Sequence, residues 1–317
     1  MLKFTATLTA AAMMLGAAGD LRAQDDDFDA AFLDGLEWRE IGPWRGGRTS
    51  GVAGHAADSQ FYVQATVGGV FITRDGGETW TAVADDAFGT ASAGAVDIAP
   101  SDPNVIVVGM GESPVRGVAT SHGDGVYRST DGGRSWTHLG LEDSRHISSV
   151  KIHPDNPDIF WVAVQGAAYG PTEQRGVYMT TDGGNSFERV LYVSDTTGAI
   201  DLKYDAANPR ILYAAMWDWQ RSPWAVRSGG PGSGLHRSMD GGRTWQEIGG
   251  DDLPELKGKI GVAPSPAQPG RVWAVVEAKE KGGVWRSDDY GKSWRHMNGD
   301  RRIQARSWYY MHIFADP

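Results

Sequence analysis

The chain has 317 residues and a formal net charge of −10 at pH 7. Charged residues make up 22% and hydrophobic residues 40% of the chain, which is too apolar for a disordered protein. The acidic balance argues against binding to nucleic acid or to an anionic membrane surface, because both need an excess of Lys and Arg. The chain has no cysteine, which excludes disulfides, thiolate metal sites and thiol nucleophiles.

The first 23 residues predict a secretory signal sequence. Lys3 provides a positive start, residues 4–18 are apolar and small, and Leu21-Arg22-Ala23 offers a cleavage point. This apolar stretch is too short to span a membrane, and no later stretch approaches 18 apolar residues. We therefore expect cleavage near Ala23, export to the periplasm or the extracellular space, and no membrane insertion. An acidic segment at 24–35 then precedes a folded domain at 36–317.

A short pattern recurs five times along the chain. Each copy fits Ser/Thr-x-Asp-x-Gly-x-Ser/Thr-aromatic, and we call these octapeptides the boxes. The copies are TRDGGETW (73–80), STDGGRSW (129–136), TTDGGNSF (180–187), SMDGGRTW (238–245) and SDDYGKSW (287–294). Their aspartates lie at positions 75, 131, 182, 240 and 289, so the spacings are 56, 51, 58 and 49 residues. A period near 50 residues without a helical pattern predicts the four-stranded blades of a β-propeller.

The sequence around each box predicts four strands per repeat, which we name A to D. A β-type segment such as GVFIT precedes the box, an apolar run such as VIVVGM (105–110) lies upstream, and a proline-containing turn precedes that run. β-branched and aromatic residues bounded by Gly, Pro, Asn and Asp are typical of strands and turns. We predict an all-β fold of four-stranded antiparallel blades, with the first strand of a sixth blade at 305–317. The five complete blades are predicted at about 45–85, 93–140, 146–193, 198–249 and 258–298. We expect them to be part of a larger propeller in a longer protein.

Each box is predicted to form the turn between strands C and D. Its aspartate can accept hydrogen bonds from backbone N–H groups, and its glycines supply positive φ at low steric cost. The aromatic ring is expected to be buried between neighbouring blades. Five equivalent copies cannot form one active site, so we assign them a structural role. The residues assigned to it are Asp75 and Trp80, Asp131 and Trp136, Asp182 and Phe187, Asp240 and Trp245, and Asp289 and Trp294.

The boxes resemble the BNR or Asp-box repeats of sialidases, sortilin-type receptors and xyloglucan-cleaving glycosidases. Beyond the boxes, the resemblance includes IGPWRGGRTSGVAGH (41–55), SGGPGSGLHRSMDGG (228–242) and RSWYYMHIFADP (306–317). The resemblance runs from about Leu36 to the C-terminus. Over this range the chain is similar to bacterial secreted BNR-repeat proteins of the sortilin N-terminal-domain or glycosyl-hydrolase-like kind. PWRGGR stands where a sialidase carries its early Arg-Ile/Leu-Pro motif, which argues against a typical sialidase.

The predicted B–C and D–A loops emerge on one side of the propeller, which we call the loop face. The boxes lie on the opposite side, the box face. Predicted B–C loops at 111–125, 165–176, 216–234 and 277–283 are dissimilar, and loops that break a repeat often carry binding residues. The third loop contains Trp217, Trp219 and Trp224 with Arg221 and Arg227. This combination suits stacking on sugars, anchoring of peptides or capture of carboxylates; alternatively, the tryptophans pack down as a lid.

Further arginines are candidates for lining the central mouth of the propeller. Arginines around a pocket favour an anionic ligand, whereas the alternative is surface ion pairing with the acidic excess. These candidates are Arg45, Arg48, Arg116, Arg175 and Arg306, together with Glu112.

Catalytic motifs are mostly missing from the sequence. It has no G-x-S-x-G or H-E-x-x-H motif, and its eight histidines occur singly, so we predict no metal and no cofactor. SGGPGSG (228–234) lacks the Lys of a phosphate loop and is interpreted as a flexible loop. A glycosidase needs only two carboxylates across a cleft. The candidates on the loop face are Glu112, Asp124, Glu173, Asp218 and Glu277, and the sequence does not select two of them.

Two functional hypotheses follow from these observations. The first is an exported module that binds a peptide, a protein or a carbohydrate on the loop face without catalysis. The second is a glycoside hydrolase that uses two carboxylates on the same face. The missing catalytic motifs and the resemblance to sortilin-type receptors favour the first.

Overall fold

A computed structural model describes residues 47–83, 85–114 and 120–316. The predicted signal sequence, the acidic segment, Arg45 and Arg116 lie outside the described residues.

Five antiparallel sheets follow one another along the chain, and the strands of each blade pair in chain order. The first sheet contains β1 (Thr49–His55), β2 (Asp58–Thr66), β3 (Gly69–Thr73) and β4 (Thr81–Val83). The second contains β5 (Ala93–Ala99), β6 (Asp102–Met110), β7 (Val126–Ser129) and β8 (Thr137–Gly140). The third contains β9 (Ile147–Ile152), β10 (Phe160–Val164), β11 (Gly176–Thr180) and β12 (Glu188–Leu191).

The fourth sheet contains β13 (Thr197–Asp205), β14 (Asn208–Ser222), β16 (Gly234–Ser238) and β17 (Gln246–Ile248), and β15 (Ala225–Ser228) pairs with the far end of β14. The fifth contains β18 (Ile260–Pro264), β19 (Val272–Val276), β20 (Gly283–Ser287) and β21 (Arg295–Asn298). The described residues also form 3₁₀ helices at Glu142–Ser144 and Arg301–Gln304, and one α-helical turn, α1 (Ser307–Tyr310). The predicted all-β fold with five antiparallel blades is therefore confirmed.

The five sheets are arranged around a common axis. Their first strands, β1, β5, β9, β13 and β18, contact one another in that order. A cavity of about 340 Å³ lies along this axis and is lined by β1, β5, β9, β13, His312 and Phe314. This radial arrangement of sheets is that of a β-propeller.

A separate hydrophobic core fills each space between neighbouring blades. On β6, Ile106 and Val108 pack into the core shared with the first blade, whereas Val105 and Val107 pack into the core shared with the third. Successive side chains of a strand point to opposite faces of its sheet. Because both faces are covered, the second strands appear in the sequence as unbroken apolar runs.

The five box turns have the same hydrogen-bond pattern. In the third box, Thr180 Oγ1 donates to the Asp182 carboxylate at 2.8 Å, and Ser186 donates to it through its backbone N at 3.0 Å and its Oγ at 2.7 Å. Gly183 and Gly184 have φ angles of 74° and 96°, a region that glycine adopts without strain. The side-chain hydrogen bond from Ser186 is the largest of the effects that lower the pKa of Asp182 to about 2. The carboxylate therefore stays ionised and holds the turn closed.

The box rings pack against the blade that precedes them. Trp136, Phe187, Trp245 and Trp294 each contact the core shared with the preceding blade. Trp80, in the first box, is 40% exposed, so the prediction of a buried ring is wrong at this position. The reason is that the first blade has no preceding blade among the described residues.

Arginines at the ends of C strands link neighbouring blades on the box face. Arg128 donates to the carbonyl of Gly183 at 3.0 Å, and Arg237 donates to the carbonyl of Tyr290 at 2.7 Å. Each acceptor directly follows the box aspartate of the next blade. These bonds supply donors to turn carbonyls that no strand reaches.

The prediction of a strand beginning near residue 305 is wrong. Ser307–Tyr310 forms α1, and residues 311–316 are not assigned to a strand. A strand needs a ladder partner, and the described residues provide none here. Local bonds replace the ladder, such as the bond from Tyr309 N to Arg306 O at 2.9 Å. Residues 311–313 nevertheless run beside β18. Met311 O and Ile313 N each lie 3.5 Å from the position that a Cβ atom would occupy on Gly261 of this strand.

Substituting the box tryptophans tests the packing between blades. Trp294→Ala should lower the free energy of unfolding by about 3–5 kcal/mol, because a 7% exposed ring is removed from a packed core. Trp80→Ala should cost about 1 kcal/mol or less, because that ring is largely in solvent. Chemical denaturation monitored by circular dichroism measures both values, and equal losses would contradict the assigned packing.

Candidate functional site

The B–C connection of the fourth blade, predicted as a loop at 216–234, contains a β-hairpin. β14 continues past the blade to Ser222 and pairs with β15, from Trp219 opposite Ser228 to Ser222 opposite Ala225. The alternating aromatic, polar and β-branched residues of this stretch favour paired strands. Pro223 and Trp224 form its two-residue turn.

Of the three candidate tryptophans in this hairpin, only one is exposed. Trp217 and Trp219 are fully buried, with their rings stacked at 5.0 Å, and belong to the core between the fourth and fifth blades. Buried rings cannot contact a ligand at the surface, so this proposal is wrong for Trp217 and Trp219. Their burial is favourable because it removes a large apolar area from water. Trp224, at the tip, is 86% exposed.

The prediction that Arg175 lines the central mouth of the propeller is also wrong, because its side chain is fully buried. Its guanidinium donates to the carbonyls of Gln165 at 2.8 Å, Ala167 at 2.6 Å and Gly170 at 3.1 Å, and it lies 5.4 Å from the Trp219 ring centroid. Burial lowers its pKa to about 10, so it remains charged at neutral pH. Arg175 therefore satisfies the irregular backbone of the third blade's loop, whose carbonyls have no strand partner.

The other described arginines have different environments. Arg221 is 5% exposed and donates to the carbonyl of Ala225 within the hairpin. Arg48 lies 3.7 Å from Glu112 and 5.3 Å from the Tyr309 ring centroid. Arg306 is exposed. The structure does not gather these side chains into one cluster.

Two candidate carboxylates are held by neighbouring residues of the hairpin. Arg227 pairs with Asp218 at 2.6 Å, and Ser228 Oγ donates to Glu277 at 2.6 Å. Lys259 N also donates to Glu277, at 2.8 Å. Asp218 and Glu277 are therefore brought to one region of the loop face, from the fourth and fifth blades.

The remaining carboxylates are dispersed. Asp124 accepts hydrogen bonds from the Tyr127 hydroxyl at 2.8 Å and from Thr90 at 3.1 Å. Glu112 is buried, with the backbone N of Ser121 at 3.4 Å. Glu173 is exposed. Apart from Glu173, each candidate carboxylate thus holds a loop or a neighbouring side chain in place.

Two adjoining cavities lie on the loop face between the fourth and fifth blades. Their volumes are about 530 and 640 Å³, and Leu256, Lys257 and Lys279 line both. Leu256 is 67% exposed, and Glu277 lines the smaller cavity. They form a groove with apolar, cationic and anionic walls.

Three buried polar residues of this face were missed by the sequence analysis. His146 and Lys259 precede the innermost strands β9 and β18, and Gln165 follows β10; all three are at most 2% exposed. Burial lowers the pKa of Lys259 to about 8, against the opposing effects of Asp201 and Glu277. The sequence signal for these residues was a polar side chain next to a predicted strand, as in RHISSV (145–150). The sequence could not show that the side chain is enclosed in the fold.

None of the helices in the described residues is long and apolar enough to span a membrane. Nor do those residues gather three or more His, Asp or Glu side chains that could hold a metal ion.

Comparison with known proteins agrees with the fold. The family model described as sortilin, neurotensin receptor 3 matches residues 69–215. No curated protein sequence matches the chain. An ancestral GH74 enzyme superimposes with a TM-score of 0.60 and 20% identity, over 82% of this chain and 32% of that enzyme. The GH74 enzyme of Niastella koreensis superimposes with a TM-score of 0.56 and 18% identity, over 78% and 38%.

The chain is therefore a β-propeller, the class that its five radial sheets define. The partial match to the sortilin model and the likeness to GH74 enzymes support a propeller of the sortilin or BNR-like kind. It spans about a third of the length of the GH74 enzymes that it resembles. At such low identity, the likeness to these enzymes concerns the fold.

The buried His146 predicts a loss of stability in acid. Burial is the largest cause that lowers its pKa from 6.5 to about 4. Between these values the unfolded chain binds the proton more readily, so the free energy of unfolding should fall by up to about 3 kcal/mol as the pH drops from 6.5 to 4. Urea denaturation at several pH values measures this loss, and His146→Gln should reduce it. His138→Gln is the matched control, because that histidine is exposed and is not among the groups that shift the pKa of His146. An unchanged pH dependence in His146→Gln would contradict the assignment.

Proposed function

We propose that the chain is an exported ligand-binding module and that the loop face is its binding surface. The ligand is a peptide, a protein or a carbohydrate. The sequence of the first 23 residues and the match to the sortilin model support export to the periplasm or the extracellular space.

The loops of the third and fourth blades form one platform. Arg221 N donates to Ala168 O at 2.7 Å and Trp219 N to Thr196 O at 3.2 Å, which join the hairpin to both loops of the third blade. Backbone bonds of this kind hold the loops in a defined position without a ligand. A surface arranged in advance loses less conformational entropy when it binds.

The exposed Trp224 is the observation that carries the proposal. It lies at the tip of a paired hairpin, with 86% of its surface in solvent. Tryptophan is enriched among residues that dominate binding energy, so a tryptophan ring held in solvent on a rigid element is a candidate anchor for a partner. Tyr169, 52% exposed, lies on the loop to which the hairpin is bonded.

Substitution of Trp224 tests the binding surface. A ligand identified on peptide and glycan arrays should bind Trp224→Ala at least about tenfold more weakly, because a truncated anchor tryptophan typically costs more than 1.4 kcal/mol. Biolayer interferometry measures the dissociation constants. Trp80→Ala is the matched control, since it removes an exposed tryptophan from the box face. Equal binding by the wild type and Trp224→Ala would refute the hairpin as the anchor.

A glycoside hydrolase is the second candidate. It is favoured by the placement of Asp218 and Glu277, which are held by the consecutive residues Arg227 and Ser228 beside a cavity that Glu277 lines. Glycosidases use two carboxylates that flank the scissile bond. The likeness to GH74 enzymes supports a fold that can carry this chemistry.

An assay for new reducing ends across a panel of polysaccharides tests this candidate. If the chain is a hydrolase, Glu277→Gln should lower the rate at least about a hundredfold, because an amide cannot act as acid, base or nucleophile. Glu280→Gln, an exposed carboxylate on the same loop, should retain the activity. Wild-type protein that releases no reducing ends from any polysaccharide would remove the candidate.

A further inference from the structure

A small cavity of about 240 Å³ lies on the loop face between the second and third blades. This volume is below the range of about 300–1,000 Å³ that is typical of pockets for drug-sized ligands, so the cavity suits one small ring rather than an extended chain. Although the whole chain is acidic, no acidic residue is among the described residues that line it. The lining residues are Thr120, His122, Arg145, His146, Ala167, Ala168, Tyr169 and Gly170.

The wall of this cavity includes a buried polar atom without a partner. His146 is 2% exposed, and its Nδ1 forms no hydrogen bond. Gln165 adjoins it, with its backbone N donating to His146 O at 2.8 Å, and neither amide atom of its side chain is hydrogen-bonded. Folded proteins satisfy nearly all buried polar atoms, and an exception needs an explanation. A polar ligand in the cavity would provide a partner for His146.

Arg145 reaches the cavity from a strained backbone. Its φ is 61° and its ψ is −54°, and His146 N donates to Ser144 O at 2.7 Å. This is the rare γ-turn with positive φ, which is unfavourable for a residue with a side chain. Glycine would form the same turn without the steric clash. Strain of this kind occurs frequently at binding sites, where the side chain has a task.

The charge at the cavity matches a monoanion. Arg145 is the one described lining residue with a permanent positive charge, and it is 3.3 Å from Asp143. Burial keeps His146 neutral at neutral pH, because its pKa is lowered to about 4. A single guanidinium binds a carboxylate through two parallel hydrogen bonds. The exposed ring of Tyr169 offers a flat surface of the kind on which the apolar face of a sugar packs.

We propose that this cavity binds a hexuronate residue. Arg145 pairs with the sugar carboxylate, His146 Nδ1 bonds with an oxygen of the sugar, and Tyr169 packs against its ring. The inference rests on the loop face as the binding surface proposed above, and it assigns that surface a carbohydrate ligand with a carboxylate.

Isothermal titration calorimetry with single sugars tests the inference. The probes are the methyl glycosides of D-galacturonate and D-glucuronate, the corresponding neutral galactoside and glucoside, and acetate. We expect at least one uronate to bind at least tenfold more tightly than its neutral counterpart and than acetate. Equal binding of acetate and uronate would overturn the sugar assignment, and equal binding of neutral sugar and uronate would overturn the role of the carboxylate.

Arg145→Gly separates the loss of the charge from a loss of folding. Glycine fits the γ-turn, so the melting temperature should stay the same or rise, whereas uronate affinity should fall at least tenfold. Arg134→Gly, an exposed arginine on the box face, is the matched control and should retain the affinity. An unchanged uronate affinity in Arg145→Gly would overturn the proposal.

Asp143→Asn provides an independent test in the opposite direction. Removing the competing carboxylate should leave uronate binding unchanged or strengthen it, and a tenfold loss would count against the pairing of Arg145 with the sugar. If no uronate binds while another ligand binds in a Trp224-dependent manner, this inference fails and the proposed function stands. If neither a uronate nor any array ligand binds, both fail.

Discussion

The structure depends on the burial of sheet faces between neighbouring blades. Every strand places successive side chains on opposite sides, and strands such as β6 and β10 are apolar on both. Such a sheet is stabilised by packing against its neighbours, and four distinct cores fill the spaces between the five blades. The radial order of the blades follows from this packing, and so does the exposure of Trp80, which has no preceding blade among the described residues.

Hydrogen bonds between blades fix the relative position of neighbouring sheets, which hydrophobic packing alone leaves free. Apolar contacts are not directional, so two sheets could slide without losing much buried area. Near the axis, the Asp201 carboxylate accepts a hydrogen bond from Val262 N of the next blade at 3.0 Å, and Asp97 accepts one from Ile152 N at 2.9 Å. Both aspartates satisfy backbone groups at the inner edge of the neighbouring sheet. Bonds at the axis and at the box face thus hold the second blade to the third, and the fourth to the fifth, at two separated points.

The two faces of the propeller differ in how closely their connections repeat. On the box face, each turn repeats one hydrogen-bond pattern, so it can change little without opening the turn. On the loop face, the connections differ in length and conformation, and many of their polar groups are used to hold neighbouring loops. Arg175 shows the difference between residue type and role: an arginine in this loop suits an anionic ligand, but its two terminal nitrogens donate to three backbone carbonyls. At this face, Trp224 at the hairpin tip stays in solvent, and His146 Nδ1 forms no hydrogen bond.

The sequence by itself determined the architecture of this protein. A turn that recurs about every 50 residues, with apolar runs between its copies, depends on local chemistry and on periodicity, and both can be read along the chain. It also separated the box aspartates from catalytic candidates, because equivalent copies cannot share one site. Only the tertiary structure decided which loop residues are exposed. Trp217 and Trp224 lie seven residues apart, yet one is enclosed by the fifth blade and the other is in solvent. The enclosure of His146 likewise depends on loops from two blades, and such long-range contacts leave no periodic signal in the sequence.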